Sequence, residues 1–179
     1  MNLLAETLDA LKGHGLSCAV IGAAAMAAHG VARATMDVDL LLVGRESLDS
    51  RAWEQLQRTG AEVEIRRGAP DDPLAGVVRV RHDQSQPIDI VIGAAAWQRR
   101  AIERAVPATI LGMVAPVATA PDLILLKLYA GSPQDCWDIS RLLAASSAEG
   151  VEHAVESELP SLPVECGRLW KTIVDTATR

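Results

Sequence analysis

Material for disulfides is the first thing this sequence lacks: its three cysteines, Cys18, Cys136 and Cys166, are odd in number, far apart and in no Cys-x-x-Cys pair. That usage fits a reducing compartment, so the expected location is the cytoplasm. An excess of positive charge is missing too. At a formal net charge of −6 the chain does not coat nucleic acid through charge alone, although a bound divalent ion and a local group of arginines can change the field at one site. No apolar run reaches the length of a membrane span, and Met1-Asn2-Leu3-Leu4-Ala5-Glu6-Thr7 has no basic start ahead of an apolar stretch. No membrane partner is therefore expected. His14, His82 and His153 are dispersed without zinc-like spacing, and His29, closing an Ala-rich helix, is expected as a partner of the helix dipole. Absent as well are a Gly-x-x-x-x-Gly-Lys-Ser/Thr loop, a Gly-x-Ser-x-Gly elbow and a His-Glu-x-x-His pair.

What is present is enough apolar residue for one core. The chain has 179 residues, 49% of them hydrophobic, which predicts a single domain over 1–179 with a core at about 18–118 and a helical portion at about 119–179. Leu3, Leu4, Leu8 and Leu11 recur at helical spacing ahead of Gly13-His14-Gly15, and a strand follows from Ser17 to Ile21. Ser47 is placed to cap a helix through Leu56, ending near Gly60. Three β-like runs come next, Ala61–Ile65, Val77–Arg81 and Ile88–Ile92, the first two separated by the loop Gly68–Pro73. Ala95–Val106 has a helical pattern, Ala108–Val117 that of a strand pair, and Pro121 opens a helix carrying Leu123, Leu126, Lys127 and Ala130. Helices at about 133–145, 150–158 and 165–177 complete the order, α/β first and helical after. No internal repeat interrupts it.

The informative stretch is Val20-Ile21-Gly22-Ala23 through Asp37-Val38-Asp39-Leu40-Leu41-Leu42-Val43: a strand, a Gly-opened helix, a tight turn, then a strand that starts with alternate carboxylates. Side chains alternate along a strand, so Asp37 and Asp39 share a face with their Cα atoms roughly 6–7 Å apart. At an effective dielectric of ~20 such charges repel by about 3 kcal/mol, which calls for a cation, a hydrogen-bonding shell or a raised pKa. Mg²⁺ meets that need. Without a Cβ, Gly22 lets backbone amides approach phosphate oxygens; its plain alternative is a tight strand-to-helix turn.

Asp89 interrupts Ile88-Asp89-Ile90-Val91-Ile92 on the face opposite the isoleucines; an acid discouraging edge pairing is the alternative to a site residue. Lys127 is the one ion between Leu123 and Ala130, aimed at an anion or snorkelling to water. Asp135 fits the N3 position of a helix capped by Ser132, with Pro133 at N1. Asp138, one turn on, is placed to hold Lys127 or Arg33. Arg33 and Thr35 either touch phosphate or nucleobase or act as a structural clamp, Arg33 pairing with Asp135 or Asp138. Arg66, Arg67, Arg79, Arg81, Arg99, Arg100 and Arg104 stay open between a polyanion-facing edge and ordinary solvated charge.

Gly22 to Asp39 resembles the signature of the nucleotidyltransferase superfamily, and Gly30-x-x-Arg33-x-Thr35-x-Asp37-x-Asp39 is similar to the AbiEii-type toxin branch; Lys127 with Asp135-x-x-Asp138 resembles the later motifs of that branch. Ala23 departs from the pattern, which has serine or a second glycine there. The resemblance, over about 18–143, implies an α/β fold with a short mixed sheet flanked by helices. It further implies metal ligation by Asp37, Asp39 and Asp89, assistance to the nucleophile from Asp89, phosphate binding at Gly22, Ala23, Arg33, Thr35 and Lys127, and supporting roles for Asp135 and Asp138. The implied chemistry is Mg²⁺-dependent transfer of a nucleoside monophosphate from an NTP to a hydroxyl of an RNA, protein or small molecule, in a toxin–antitoxin or phage-defence setting with a cognate antitoxin as partner. Two other readings stay open: a nucleotide-binding regulatory protein that has lost transfer, and a small-molecule transferase of the aminoglycoside type.

Overall fold

The computed structural model describes residues 2–33, 35, 37–69, 74–83, 85–146 and 148–177, the side chains of 148, 149 and 177 aside. A first helix, α1 (Leu3–Gly13), leads into β1 (Cys18–Ile21), α2 (Gly22–Ala28) and β2 (Val38–Val43). Two 3₁₀ turns, Arg45–Leu48 and Ser50–Trp53, precede the short α3 (Glu54–Arg58), and then come β3 (Glu62–Arg67), β4 (Leu74–Arg81), β5 (Ile88–Gly93) and α4 (Ala96–Glu103). A hairpin, β6 (Val106–Ile110) and β7 (Met113–Val117), is followed by α5 (Ala120–Ala130), α6 (Pro133–Ala145), α7 (Ala148–Glu158) and α8 (Val164–Ala177).

The strands form one seven-stranded mixed sheet in the order β3-β4-β5-β2-β1-β7-β6. It is longer than the short sheet expected, because β3 and the β6–β7 hairpin extend its two ends. β2 runs antiparallel to β1 and parallel to β5, so Asp39 stands opposite Ile21 on one side and Asp89 on the other. β4 then aligns Arg79 with Asp89. Period-two alternation decides what is inside: Leu40 and Leu42 of β2, Val78 and Val80 of β4 and Ile88, Ile90 and Ile92 of β5 are buried, while Asp39, Arg79 and Asp89 remain half-buried.

Several elements depart from the sequence expectation, each for a local reason. Ser47 caps no helix: its hydroxyl donates to the Gly44 carbonyl at 2.6 Å inside a 3₁₀ turn, and Asp49 caps the next turn by accepting from the Arg51 amide. Trp53 fixes this segment, fully buried with its indole N–H on the Ser47 carbonyl at 2.8 Å. The helix expected over Ala95–Val106 stops at Glu103, because Val106 is taken into pairing with Val117. Its hairpin partner strand is reached through Leu111-Gly112, both at positive φ (49° and 79°), the geometry of a tight two-residue turn whose twist matches the strands. Asp37 lies just ahead of β2 rather than within it, although the Val38 amide already bonds Pro87 of the approach to β5. The expected loop Gly68–Pro73 falls largely outside the described residues.

The helical portion is built on α5, where Leu123, Ile124, Leu125 and Leu128 are buried. Thr119 caps its start by accepting from the Asp122 amide, and Gly131 (φ 68°) ends it. Arg104 of α4 bonds the buried Asp122, at 2.5 Å for Nη2 to Oδ1, and also Glu158 of α7, so one guanidinium ties three helices together.

Candidate functional site

Three carboxylates meet where β2 and β5 run side by side: Asp37 before β2, Asp39 on it and Asp89 facing Asp39 on β5. Asp89 is not a bare acid. Arg79 of β4 grips it with two parallel bonds, Nε to Oδ1 and Nη2 to Oδ2, both 2.6 Å, and Nη2 reaches on to Asp37 Oδ2 at 3.2 Å. Such a fork-on-carboxylate contact is geometrically specific and stronger than a neutral hydrogen bond. Its hydrogen bonds with Asp89 raise the Arg79 pKa further above its already high value. Asp39 accepts no hydrogen bond from the described residues, and its pKa is pushed up to about 6, first by burial, then by the charges of Asp89 and Asp37, against the opposing pull of Lys127 and Arg33.

Gly22 explains how Asp39 fits there. At φ +64° it opens α2, and a Cβ on it would fall inside contact distance of Asp39 Oδ2, 2.8 Å from Cγ and 3.0 Å from Cβ. The room a side chain would take is thus filled by the carboxylate itself, a use of the glycine that differs from the phosphate approach expected. Ala23 follows it on α2 and is buried. Thr35 shapes the acid loop: its hydroxyl donates to the Asp37 carbonyl at 2.9 Å and accepts from the Asp37 amide at 3.2 Å.

Behind the acids lies a second charged group. Asp138 of α6 is fully buried and takes Arg33 Nη1 at 2.6 Å and Lys127 Nζ at 2.5 Å on the same oxygen, with Gln134 at 3.3 Å on the other. Lys127 also donates to Asp135 at 3.1 Å. Asp135 completes the capping box with Ser132; burial works against its charge, and the bonds from Ser132 and Lys127 outweigh it and hold the carboxyl below its usual range. Both cations are therefore neutralised by α6, while Arg33, on the loop that leads to Asp37, remains 38% exposed.

Two cavities flank the acids. One of about 440 Å³ is walled by Ala23, Ala24, Ala27 and Ala28 and reaches Arg33 and Asp37. The other, about 200 Å³, lies on the open sheet face between Glu64, Arg66, Val77, Arg79 and Asp89. His29 is held apart from both functions, its Nε2 2.8 Å from the Ala118 carbonyl. Burial pushes the Cys18 thiol up to about 12, which removes it as a nucleophile.

The chain's donor set suits a divalent ion that completes its shell with water or phosphate oxygens. Among the described residues no three carboxylates, imidazoles or thiols gather as a metal cage. Mg²⁺, however, is commonly held by one or two carboxylates and completes its shell with phosphate oxygens and water. Asp37 and Asp39 fit that requirement; Asp89 is committed to Arg79. Sequence reasoning left Arg79 undecided, and the signal that it belongs to the site was the Val77-Val78-Arg79-Val80-Arg81 alternation, which sets Arg79 on the face of a neighbouring acid once β4 pairs with β5.

No protein-family model matches the sequence, and no curated protein does. Solved structures do. The crystal structure of ANT(2'')-Ia in complex with adenylyl-2''-tobramycin matches at a TM-score of 0.55 and 17% identity, covering 87% of this chain and 94% of the other. The solution structure of the same antibiotic-resistance factor gives 0.54 and 18%, over 87% and 88%. An antigenic nucleotidyltransferase-like protein from Paracoccidioides brasiliensis gives 0.50 and 14%, over 94% and 91%. Further along the chain, no helix of the described residues is long and apolar enough to cross a membrane. These likenesses and the seven-stranded mixed sheet flanked by helices agree on one statement: the chain has the nucleotidyltransferase fold.

Proposed function

We propose that this chain transfers a nucleoside monophosphate from an NTP to a hydroxyl acceptor. The observation that carries the reading is the convergence of Asp37, Asp39 and Asp89 beside Gly22, whose missing side chain leaves room for the Asp39 carboxylate, with Asp37 also lining a cavity of about 440 Å³. In the reaction the acceptor oxygen forms a bond to the α-phosphorus, the bond from that phosphorus to the bridging oxygen breaks, pyrophosphate leaves and the hydroxyl proton passes to solvent or a carboxylate. Asp37 and Asp39 would hold Mg²⁺, which would supply Lewis-acid polarisation of the phosphoryl group and screening of developing charge. The alanine wall of α2 takes the flat, weakly polar part of the nucleotide, and Arg33, at the rim, meets phosphate. Lys127 adds positive potential from behind. Asp89 and Arg79 border the smaller cavity and orient the acceptor there. Both Asp89 oxygens accept from Arg79, so the role of base implied by resemblance would be played by a carboxylate already paired with a guanidinium.

The charges around the smaller cavity, Glu64 and Asp89 against Arg66 and Arg79, balance. Balanced charge selects neither a polycationic nor a polyanionic acceptor, so an RNA, protein or small-molecule hydroxyl all fit the proposal. The Gly30-to-Asp39 string supports a toxin of a toxin–antitoxin or phage-defence pair, with a cognate antitoxin, as the setting. A second reading, nucleotide binding without transfer, is favoured by the Arg79 grip and by Ala23. The experiment is label transfer from each of four α-³²P NTPs with Mg²⁺ to total RNA, protein lysate or an aminoglycoside, beside Asp37→Ala. Label in RNA or protein that is lost in Asp37→Ala supports the transferase. Label in the aminoglycoside identifies a small-molecule acceptor, and nucleotide binding with no label on any acceptor favours the second reading.

A further inference from the structure

The geometry points to Arg79 as a built-in cation of the acid cluster: it takes the place of a second metal ion at Asp89, so that this chain binds one divalent ion, at Asp37 and Asp39. The inference rests on the transferase reading and adds a role that the sequence motifs leave unassigned. Registers place Arg79, Asp89 and Asp39 in one row across β4, β5 and β2. Arg79 had a choice of carboxylates, since Glu64 stands opposite it on β3. Glu64, however, bonds Arg66 at 2.8 Å, and the Arg79 guanidinium turns the other way, onto Asp89 and Asp37.

What Arg79 does there follows from charge and shape. A guanidinium stays protonated and presents a planar fork that matches a carboxylate, and it sheds water more readily than an ammonium or a small divalent ion. Each Asp89 oxygen accepts from Arg79 at 2.6 Å, so a metal on either oxygen would sit directly beside the guanidinium charge and be repelled by it. Asp37 contributes one oxygen to Arg79 and keeps the other. Three carboxylates and one guanidinium leave two negative charges, which one divalent ion neutralises. Arg33 and Lys127 do not alter this count, being matched by Asp135 and Asp138.

The test counts Mn²⁺ ions on the full chain by EPR titration, with no nucleotide present, and follows thermal unfolding without metal to establish that each variant is folded. Wild type is expected to bind one ion, lost in Asp37→Asn and in Asp39→Asn and kept in Asp89→Asn. Arg79→Ala is expected to bind two, returning to one in Arg79→Ala/Asp89→Asn, and Arg79→Lys, which keeps a cation, to bind one. Two ions on wild type with one lost in Asp89→Asn overturns the inference, as does a count of one in Arg79→Ala. No ion on any variant also overturns it. Because label transfer is read separately, a transferase that labels its acceptor while binding two ions refutes the role of Arg79 and leaves the proposed function standing.

Discussion

Replacing Gly22 by alanine tests whether the glycine serves the backbone, the Asp39 carboxylate, or both. Gly30 is the control, since it too has positive φ (+81°) but a Cβ on it meets nothing within 4 Å. An L-residue in the left-handed region costs about 1–2 kcal/mol, so Gly30→Ala is expected to destabilise by about 1 kcal/mol. Gly22→Ala carries the same backbone cost and also drives its Cβ into Asp39, whose Cγ lies 2.8 Å from the new atom. Swinging that side chain off its rotamer adds about 0.5–1.5 kcal/mol, for a total of about 1.5–2.5 kcal/mol. The assay is urea unfolding of the four chains of a double-mutant cycle with Asp39→Ala, together with Gly30→Ala. Once the carboxylate is gone, the cost of Gly22→Ala is expected to fall to near that of Gly30→Ala, the remaining contact being with the Cβ of residue 39 at 3.0 Å, for a coupling of about 1 kcal/mol. Equal losses for Gly22→Ala and Gly30→Ala in the wild-type background, or strict additivity with Asp39→Ala, refute the argument that Gly22 makes room for the acid.

Asp138→Asn leaves Arg33 and Lys127 facing each other across a fully buried amide and is expected to cost about 3 kcal/mol in urea unfolding. Arg51→Ala, which breaks an exposed pair with Asp49, is expected to leave the urea midpoint of the same assay unchanged. Hydrogen bonds from Arg100 hold Glu158 down at about 2, against burial and with help from Arg104, below an ordinary value of 4.5. A carboxylate depressed in the folded state stabilises above its unfolded pKa, so the advantage of wild type over Glu158→Gln is expected to be constant above pH 5 and to vanish between pH 4.5 and 2; with both arginines about 40% exposed it amounts to about 1–2 kcal/mol. Ala23→Ser places a hydroxyl on the wall of the larger cavity, and one added hydrogen bond of about 1 kcal/mol is expected to tighten nucleotide binding roughly fivefold by calorimetry.

The acids were legible because strand alternation is a local rule: the isoleucines of β5, and Val38, Leu40 and Leu42 of β2, announce which way Asp89 and Asp39 point without knowledge of the partner strand, although Leu41 on the face of Asp39 is buried too. The capping of α6 by Ser132 and Asp135 was legible for the same reason. Arg79 was not, because its partner depends on how β4 slides against β5, and the connection from His82 to Pro87, although it holds turn-forming residues, is too long to fix the register from sequence. Ser47 misled because a cap-forming residue two positions early satisfies its hydroxyl within a 3₁₀ turn instead. At Val106 a helical pattern lost to strand pairing, a tertiary choice that propensity does not contain.

Asp138 gives the proposed nucleotide site an unusual economy of charge. Its two cations already have a ligand, so a phosphate that recruits Arg33 or Lys127 displaces a carboxylate rather than filling an empty place. Binding is then an exchange, and the displaced Asp138 sits fully buried on α6 with nowhere to hydrate. The more exposed Arg33 is the one that can share itself between a phosphate and Asp138, while Lys127 stays home. Occupancy of the cleft and the charge balance on α6 are thereby linked: a ligand that draws Arg33 outward leaves Asp138 to Lys127 alone, and a substitution at Asp138 alters the grip on phosphate without touching it.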